Sequence, residues 1–289
     1  MTIATIDIGG TGIKFASLTP DGKILDKAST ATPETLEELL AWLDQRLSER
    51  DYRGIAMSVP GAVHQETGVI EGISAIPYIH GFSWYEALAH HKLPIHLEND
   101  ANCVGLSELL AHPEIENAAC VVIGTGIGGA MIINGKLHRG RHGLGGEFGY
   151  MTTIEPAERL NNWSQLASTG NMVRYVIEKS GQTDWDGRKV YQEAAAGNAL
   201  CQEAIERMNR NLAQGLLNIQ YLIDPDVISL GGSISQNPDF IKGVQKAVDA
   251  FVERYEEYTI APVIQACTYQ ADANLYGALV NWLQEENQW

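Results

Sequence analysis

The chain has 289 residues, 45% of them apolar, and its 36 acidic against 20 basic side chains leave a formal net charge of −16. That length favours two lobes over a single core. The charge excludes nucleic acid and anionic membrane surface as partners and repels any polyphosphate at long range, so a phosphate site here has to be local, built from backbone amides and metal.

Residues 2–8, 12–18 and 22–28 alternate or run apolar between turns and predict three antiparallel strands, with Pro20-Asp21-Gly22 as the second turn. A helix follows, with Thr32 as its expected N-cap, Pro33 in its first position and Leu36, Leu39, Leu40, Leu43 and Leu47 at helical spacing. Residues 53–59 read as a strand ending at Pro60-Gly61. The turn-rich stretch to Pro94 holds a short hairpin and one helix, residues 94–98 form a strand, and residues 100–111 a helix. Then the pattern restarts. Residues 118–123, 129–133 and 136–138 repeat the three strands, with Asn134-Gly135 as a hairpin turn. Helices dominate residues 158–222. The best of them covers 198–222, with Ile205, Met208, Leu212, Leu216 and Ile219 on one face. A buried strand at 227–230 ends in Gly231-Gly232-Ser233, followed by a helix to about Tyr255, a strand at 262–266 and a last helix from Ala273. Three strands, helix, strand, helix therefore occurs twice, which reads as an internal duplication at half-chain scale.

Cys103, Cys120, Cys201 and Cys267 are far apart and form no C-x-x-C pair, so their spacing gives no zinc site and a reducing, cytoplasmic setting is expected. The N-terminal residues lack a basic region followed by an apolar core, and no signal peptide is expected. The longest uncharged stretch, 118–134, is shorter than a membrane span, carries four glycines and reads as a buried hairpin. His90-His91 reads as a solvated pair on a polar helix, and no Ser/His/Asp hydrolase pattern appears.

Both restarts place a glycine-rich turn between the first two strands. In Asp7-Ile8-Gly9-Gly10-Thr11-Gly12, the glycines leave no side chain between amide and ligand, Thr11 adds a hydroxyl, and Asp7 can hold Mg²⁺ through water. Lys14 reads as a solvated strand lysine. The second turn, Gly124-Thr125-Gly126-Ile127-Gly128-Gly129, has more glycine than turning requires. It lacks the Lys-Ser/Thr ending of a P-loop, and strand-like residues, not a helix, follow it, which removes the dinucleotide motif. What is left is a two-hairpin, actin-like arrangement. Asp100 follows a strand and opens a helix. Alone it reads as an N-cap; beside Asn99, amide and carboxylate together can hold adjacent hydroxyls of a sugar, and Asp100 can accept a hydroxyl proton at an ordinary pKa. Glu147, in Gly146-Glu147-Phe148-Gly149, reads equally as a sugar ligand or as an exposed loop acid. Gly231-Gly232 can admit an adenosine or simply end a strand. The set points to an ATP-dependent kinase of a small alcohol, a sugar above all.

Asp7-Ile-Gly-Gly-Thr11, Pro60-Gly61, Glu98-Asn-Asp-Ala-Asn102, Ile123-Gly-Thr-Gly-Ile-Gly-Gly129, Gly146-Glu-Phe-Gly149, Gly231-Gly232 and Asp272-Ala-Asn-Leu-Tyr-Gly277 stand in the order seen in the ROK family of bacterial sugar kinases and repressors, which the chain resembles over essentially its whole length. The resemblance implies an α/β chain of two actin/hexokinase-like (ribonuclease H-like) lobes with an interlobe cleft. Residues 1–117 plus 273–289 would form the smaller lobe and 118–272 the larger, ATP-side lobe. It further implies Asp100 as catalytic base; Gly61, Asn99 and Glu147 along the sugar; Gly9, Gly10, Thr11, Gly124, Thr125, Gly126 and Gly128 at the phosphates; Gly231 and Gly232 beside the adenosine; ATP and Mg²⁺ as cofactors; and a homodimer. Three departures are visible. Tyr150 stands where the family places a histidine. The family's cysteine-rich zinc motif is replaced by residues 155–168 without cysteine, so no zinc is expected, and Ser164 or Gln165 stands near the place of a sugar-binding glutamate. Ala75 replaces an asparagine of the sugar loop. A glucose- or mannose-type hexose phosphorylated at C6 is the expected substrate, with N-acetylmannosamine, fructose or a glucoside as alternatives. A non-catalytic sugar-binding regulator is the alternative of another kind, disfavoured as a repressor because only six residues precede Asp7 and the charge opposes DNA.

Overall fold

The computed structural model describes residues 2–154 and 160–289. In chain order the elements are β1 (Ile3–Ile8), β2 (Gly12–Leu18), β3 (Ile24–Ala31), α1 (Leu36–Ser48), β4 (Gly54–Val59), β5 (Ala62–His64), β6 (Val69–Glu71), α2 (Trp84–Ala87), β7 (Ile95–Asn99) and α3 (Asp100–Ala111). They continue with β8 (Ala118–Ile123), β9 (Ile127–Ile133), β10 (Lys136–Leu137), β11 (Thr152–Ile154), β12 (Leu160–Asn162), α4 (Trp163–Ala167), α5 (Thr169–Ser180), α6 (Gly187–Ala195), α7 (Ala199–Ile223), β13 (Val227–Gly231), α8 (Pro238–Arg254), β14 (Ile264–Ala266) and α9 (Ala273–Glu285).

Two compact units divide the chain. Met1–Glu114, Arg139–Gly145 and Ala271–Trp289 form the first, and Ile115–His138 with Gly146–Gln270 the second. The first contains a five-stranded sheet in the order β3-β2-β1-β4-β7, with β2 antiparallel to both neighbours and β1, β4 and β7 parallel. Alternate strand residues feed separate clusters. Ile6, Ile13, Phe15, Ile55 and Met57 meet Leu39 and Leu43 of α1, whereas Ile3, Ala16, Leu18 and Ala56 meet Cys103 of α3 and Leu275, Leu279 and Trp282 of α9. Period-two alternation thus covers the sheet on both faces. Helix α3 is buried nearly all round. It crosses α9 so closely that a Cβ on Gly277 would stand 1.7 Å from the Cys103 carbonyl oxygen.

The second unit repeats the plan, with sheet order β10-β9-β8-β13-β14 and the same mixture of antiparallel and parallel pairs. Helix α7 packs Met208, Leu212, Leu216 and Ile219 beneath it, with Phe240, Val244 and Val248 of α8 in the same cluster. All four cysteines are buried. Among the described residues, no helix is long and apolar enough to cross a membrane.

Two local expectations are corrected. Thr35, not Thr32, caps α1, its Oγ1 accepting from Glu38 N at 3.2 Å. Thr35-Leu36-Glu37-Glu38 carries the capping-box spacing that Thr32 lacks, and Glu38 reaches back to Glu34 N at 3.2 Å. The second hairpin is tighter than expected, because Ile127 and Gly128 already belong to β9.

Candidate active site

In the first unit the parallel strands end side by side, with Asp7 paired to Ser58 and Ser58 to Glu98. Open α/β sheets gather ligand chemistry at such carboxyl ends. Here Asp7, Gly9, Gly10, Thr11, Gly61, Asn99 and Asp100 come together at the ends of β1, β4 and β7. Asp7 is 6% exposed. Asn274 Nδ2 donates to its Oδ1 at 2.8 Å, Ser58 Oγ to the same oxygen at 3.4 Å, and Lys14 Nζ to Oδ2 at 3.2 Å. Lys14 is therefore paired and only partly solvated; its Nζ also donates to Ala271 O at 2.6 Å. Register is the cause. The three-residue turn sets Asp7 directly opposite Lys14, and opposed side chains on antiparallel strands share a face.

Within that turn, Gly9 N donates to Gly12 O at 3.1 Å and Thr32 Oγ1 to Gly9 O at 2.6 Å, leaving Gly10 and Thr11 as the exposed tip. Neither Gly9 nor Gly10 has positive φ. Close approach explains Gly10 instead, since a Cβ there would lie 3.1 Å from Ala75 Cβ.

The residue read alone as an N-cap, Asp100, is not the cap. Asn99 is: its Oδ1 accepts from Ala101 N at 2.9 Å and Asn102 N at 3.2 Å, while its Nδ2 donates to Gly61 O at 3.1 Å. Asp100 is half-buried, and Ala101 N donates to its Oδ1 at 2.8 Å. Burial pushes the Asp100 carboxyl above the ordinary aspartate value; the Ala101 amide pulls it back, and the nearby Asp7 charge adds to the rise.

Sequence reasoning missed the support behind this pair. Glu98 is 2% exposed. Its Oε1 accepts from Asn99 N and Asn102 Nδ2, both at 2.8 Å, and its Oε2 from Arg139 Nε at 2.6 Å. Arg139 Nη2 also donates to Asn281 Oδ1 at 2.7 Å and Glu285 Oε1 at 3.0 Å. Burial alone would lower the guanidinium's pKa, but the Glu98 and Glu285 charges more than offset this and raise it. These bonds bring Arg139–Gly145 into the first unit.

The remaining predicted residues lie in the second unit. Strand β13 runs parallel to β8 with Gly231 beside Val122, so the turn after β8 adjoins the Gly231-Gly232 end. That turn is Gly124-Thr125-Gly126; Gly128 sits in β9 opposite Val122. Gly124 N donates to Gly126 O at 2.9 Å, and Gly170 N to Gly124 O at 3.1 Å. A Cβ on Gly124 would meet nothing within 4 Å, and its φ is ordinary. Neither conformation nor internal packing calls for glycine there, and its absent side chain leaves the turn open to approach. Gly232 differs: its φ is 91° and a Cβ would lie 2.1 Å from Ile123 O. Gly146 (φ 90°) and Gly149 are both pressed onto β9, and hold half-buried Glu147 between them.

Past Gly232 lies a cavity of about 490 Å³ lined by Thr169, Arg188, Tyr191, Ser233, Ile234 and Asn237, among others. Thr169 Oγ1 and the Tyr191 hydroxyl are buried there without a hydrogen-bond partner among the described residues. Burial pushes the Tyr191 phenol up, with a smaller contribution from Asp239. Leaving such a group unpaired costs about 1–3 kcal/mol. Thr169 and Tyr191 have no sequence signal beyond their distance from Gly231-Gly232 in the fold.

The ROK family profile matches residues 3–285. The chain belongs to the ROK family. A beta-glucoside kinase of Listeria monocytogenes serovar 1/2a is 35% identical over 298 aligned residues, which take in 100% of this chain and 99% of that protein. The crystal structure of a ROK family protein from Streptococcus pneumoniae TIGR4 in complex with sucrose has a TM-score of 0.98 at 88% identity, with 100% of both chains covered. The ROK hexokinase of Thermus thermophilus has a TM-score of 0.86 at 25% identity, covering 99% of this chain and 100% of its own. The two repeated sheets are thus those of the actin/hexokinase-like fold.

Within this ROK chain, the segment that stands in place of the family's zinc motif falls partly at 155–159, outside the described residues. Ser164, near the place of a sugar-binding glutamate, is tied to the second turn: its Oγ accepts from Ile127 N at 2.9 Å and donates to Ile127 O at 3.3 Å. Gln165 completes a capping box with Asn162. Ala75 packs at the first turn.

Proposed function

We propose that this ROK protein is an ATP-dependent sugar kinase in which Asp100 takes the proton from a primary hydroxyl, that at C6, as the hydroxyl attacks the γ-phosphate. The observation that carries this reading is the state of Asp100. Its neighbours Asp7 and Asn99 are engaged by surrounding groups, while its own carboxylate keeps capacity to accept and is made more basic by burial. An acceptor raised above the ordinary aspartate value suits the step, which otherwise depends on positioning and charge stabilisation.

In this reading Gly61, Asn99 and Glu147 bind the sugar; Asn99 retains one amide N–H after bonding Gly61. Gly10, Thr11, Thr125 and Gly126 offer amides to the phosphates, while Gly9 and Gly124, whose own amides close the turns, and Gly128 shape the approach. The cavity beside Gly231-Gly232 receives the adenosine. Asp7 fits Mg²⁺ only through water, because both its oxygens already face donors, and a hydrated ion arriving with the nucleotide would there supply positive charge to the phosphates. We further read the chain as cytoplasmic and homodimeric, the former from its four buried, unbridged cysteines and the latter from its family.

For the sugar, we favour a β-glucoside over a free hexose. The Listeria monocytogenes relative carries that name at 35% identity over full length. Near the place of the family's sugar-binding glutamate, this chain has Ser164 and Gln165, both engaged elsewhere. The test is ADP release by the purified chain with Mg²⁺ and methyl β-glucoside, glucose, mannose, fructose or N-acetylmannosamine. Methyl β-glucoside should lead in kcat/KM by at least about tenfold, equivalent to about 1.4 kcal/mol. A lead by another sugar overturns the choice of substrate. Sugar binding without ADP release from any of them overturns the kinase and favours the regulator. Asp100→Asn should lower turnover by about 10²-fold or more while sugar affinity stays within a few-fold; near-normal turnover would end its assignment as base.

A further inference from the structure

Away from every residue named in the reaction, the first unit brings three metal-ligating side chains to one point. Asp44 lies on α1, and His90 and His91 lie in the 3₁₀ turn Ala89–His91. Of the pair expected to be solvated, His90 is exposed and His91 half-buried, and both face a neighbouring helix. His90 Nε2 is 3.0 Å and His91 Nε2 2.7 Å from the same oxygen, Asp44 Oδ1. The three ligating atoms all lie within 4.8 Å of one another, and the two rings are 4.1 Å apart.

We propose that Asp44, His90 and His91 form a surface site for a divalent transition metal of the Zn²⁺ or Ni²⁺ class, with water completing the coordination. Successive residues on a 3₁₀ turn point about 120° apart, so convergence of both imidazoles on one atom is not the default of the helix. The two nitrogens take both lone-pair directions of one carboxylate oxygen, so three metal-ligating atoms from two elements face one point. Zinc bonds of about 2.0–2.1 Å in tetrahedral geometry set ligand atoms about 3.3–3.4 Å apart. The two nitrogen–oxygen separations need open by only about half an ångström to admit the ion, and the two nitrogens, within 4.8 Å of each other, would settle at about 3.3–3.4 Å. Two imidazoles and one carboxylate are borderline donors that suit Zn²⁺, Ni²⁺ or Cu²⁺ and not Mg²⁺. His90 is exposed, which gives an entry path. A bound ion would staple α1 to the segment leading into β7, stiffening the unit without entering the chemistry.

The experiment uses the full, untagged chain stripped with chelator and titrated with Zn²⁺ or Ni²⁺ by calorimetry. One equivalent should bind, and His90→Ala, His91→Ala and Asp44→Asn should each weaken it at least tenfold while ADP release and the unliganded melting temperature stay unchanged. With Cu²⁺ as probe, electron paramagnetic resonance should show coupling to two imidazole nitrogens, lost in the His90→Ala/His91→Ala double variant. Absence of binding, or binding and nitrogen coupling that persist in the double variant, would overturn the site. Neither result bears on the kinase reading.

Discussion

At the residue scale, Asp100 and Asp7 show how two carboxylates at the ends of neighbouring strands can be held in different ways. Asn99 takes over the capping of α3, so the carboxylate next to it is released from that duty and held where burial and the charge of Asp7 raise its pKa. A carboxyl whose pKa is raised by folding contributes stability below its unfolded value of about 3.9 and loses it as pH rises through the folded value. Above that folded value the charge weighs against the fold. Asp100→Asn should melt at the same or a higher temperature than wild type at pH 7, with the difference shrinking toward pH 4.5. A clear drop in melting temperature at pH 7 would show that the carboxylate serves the fold and not a ligand. Asp7 makes the opposite case, with Lys14, Ser58 and Asn274 all directed at it.

At the element scale, the glycine-rich turns separate by what each glycine does. Gly124→Ala meets open space at an ordinary φ, so its stability should stay within about 0.5 kcal/mol of wild type, while the KM for ATP rises severalfold. Gly146→Ala combines a φ of 90° with a contact 2.9 Å from Ala130 Cα and should destabilise by more than that. Equal effects of the two on thermal melts would remove the distinction. Much of this level is legible in sequence, because alternation, leucine spacing and Asn134-Gly135 report local physics directly; helix α3 falls at residues 100–111 as read. What stays hidden depends on partners far along the chain. Lys14 reads as solvated until the register of its hairpin is counted. Glu98 reads as a flanking acid because Arg139, Asn281 and Glu285 meet it only after folding. Thr169 and Tyr191 carry no motif; only the cavity they line marks them.

At the scale of the whole molecule, the repeated strand order accounts for why the predicted residues fall into two groups, one at the strand ends of each sheet. The duplication was visible as a twice-repeated order of elements with a glycine turn at each restart, but Arg139–Gly145 departs from a simple division into two blocks. With that excursion, the polypeptide passes from one unit to the other after Glu114, His138, Gly145 and Gln270. A protease that nicks any one of these passages leaves three peptide tethers intact. Neither half is obtainable as a continuous fragment, and a domain-swapped or separately expressed half would have to do without part of its own backbone.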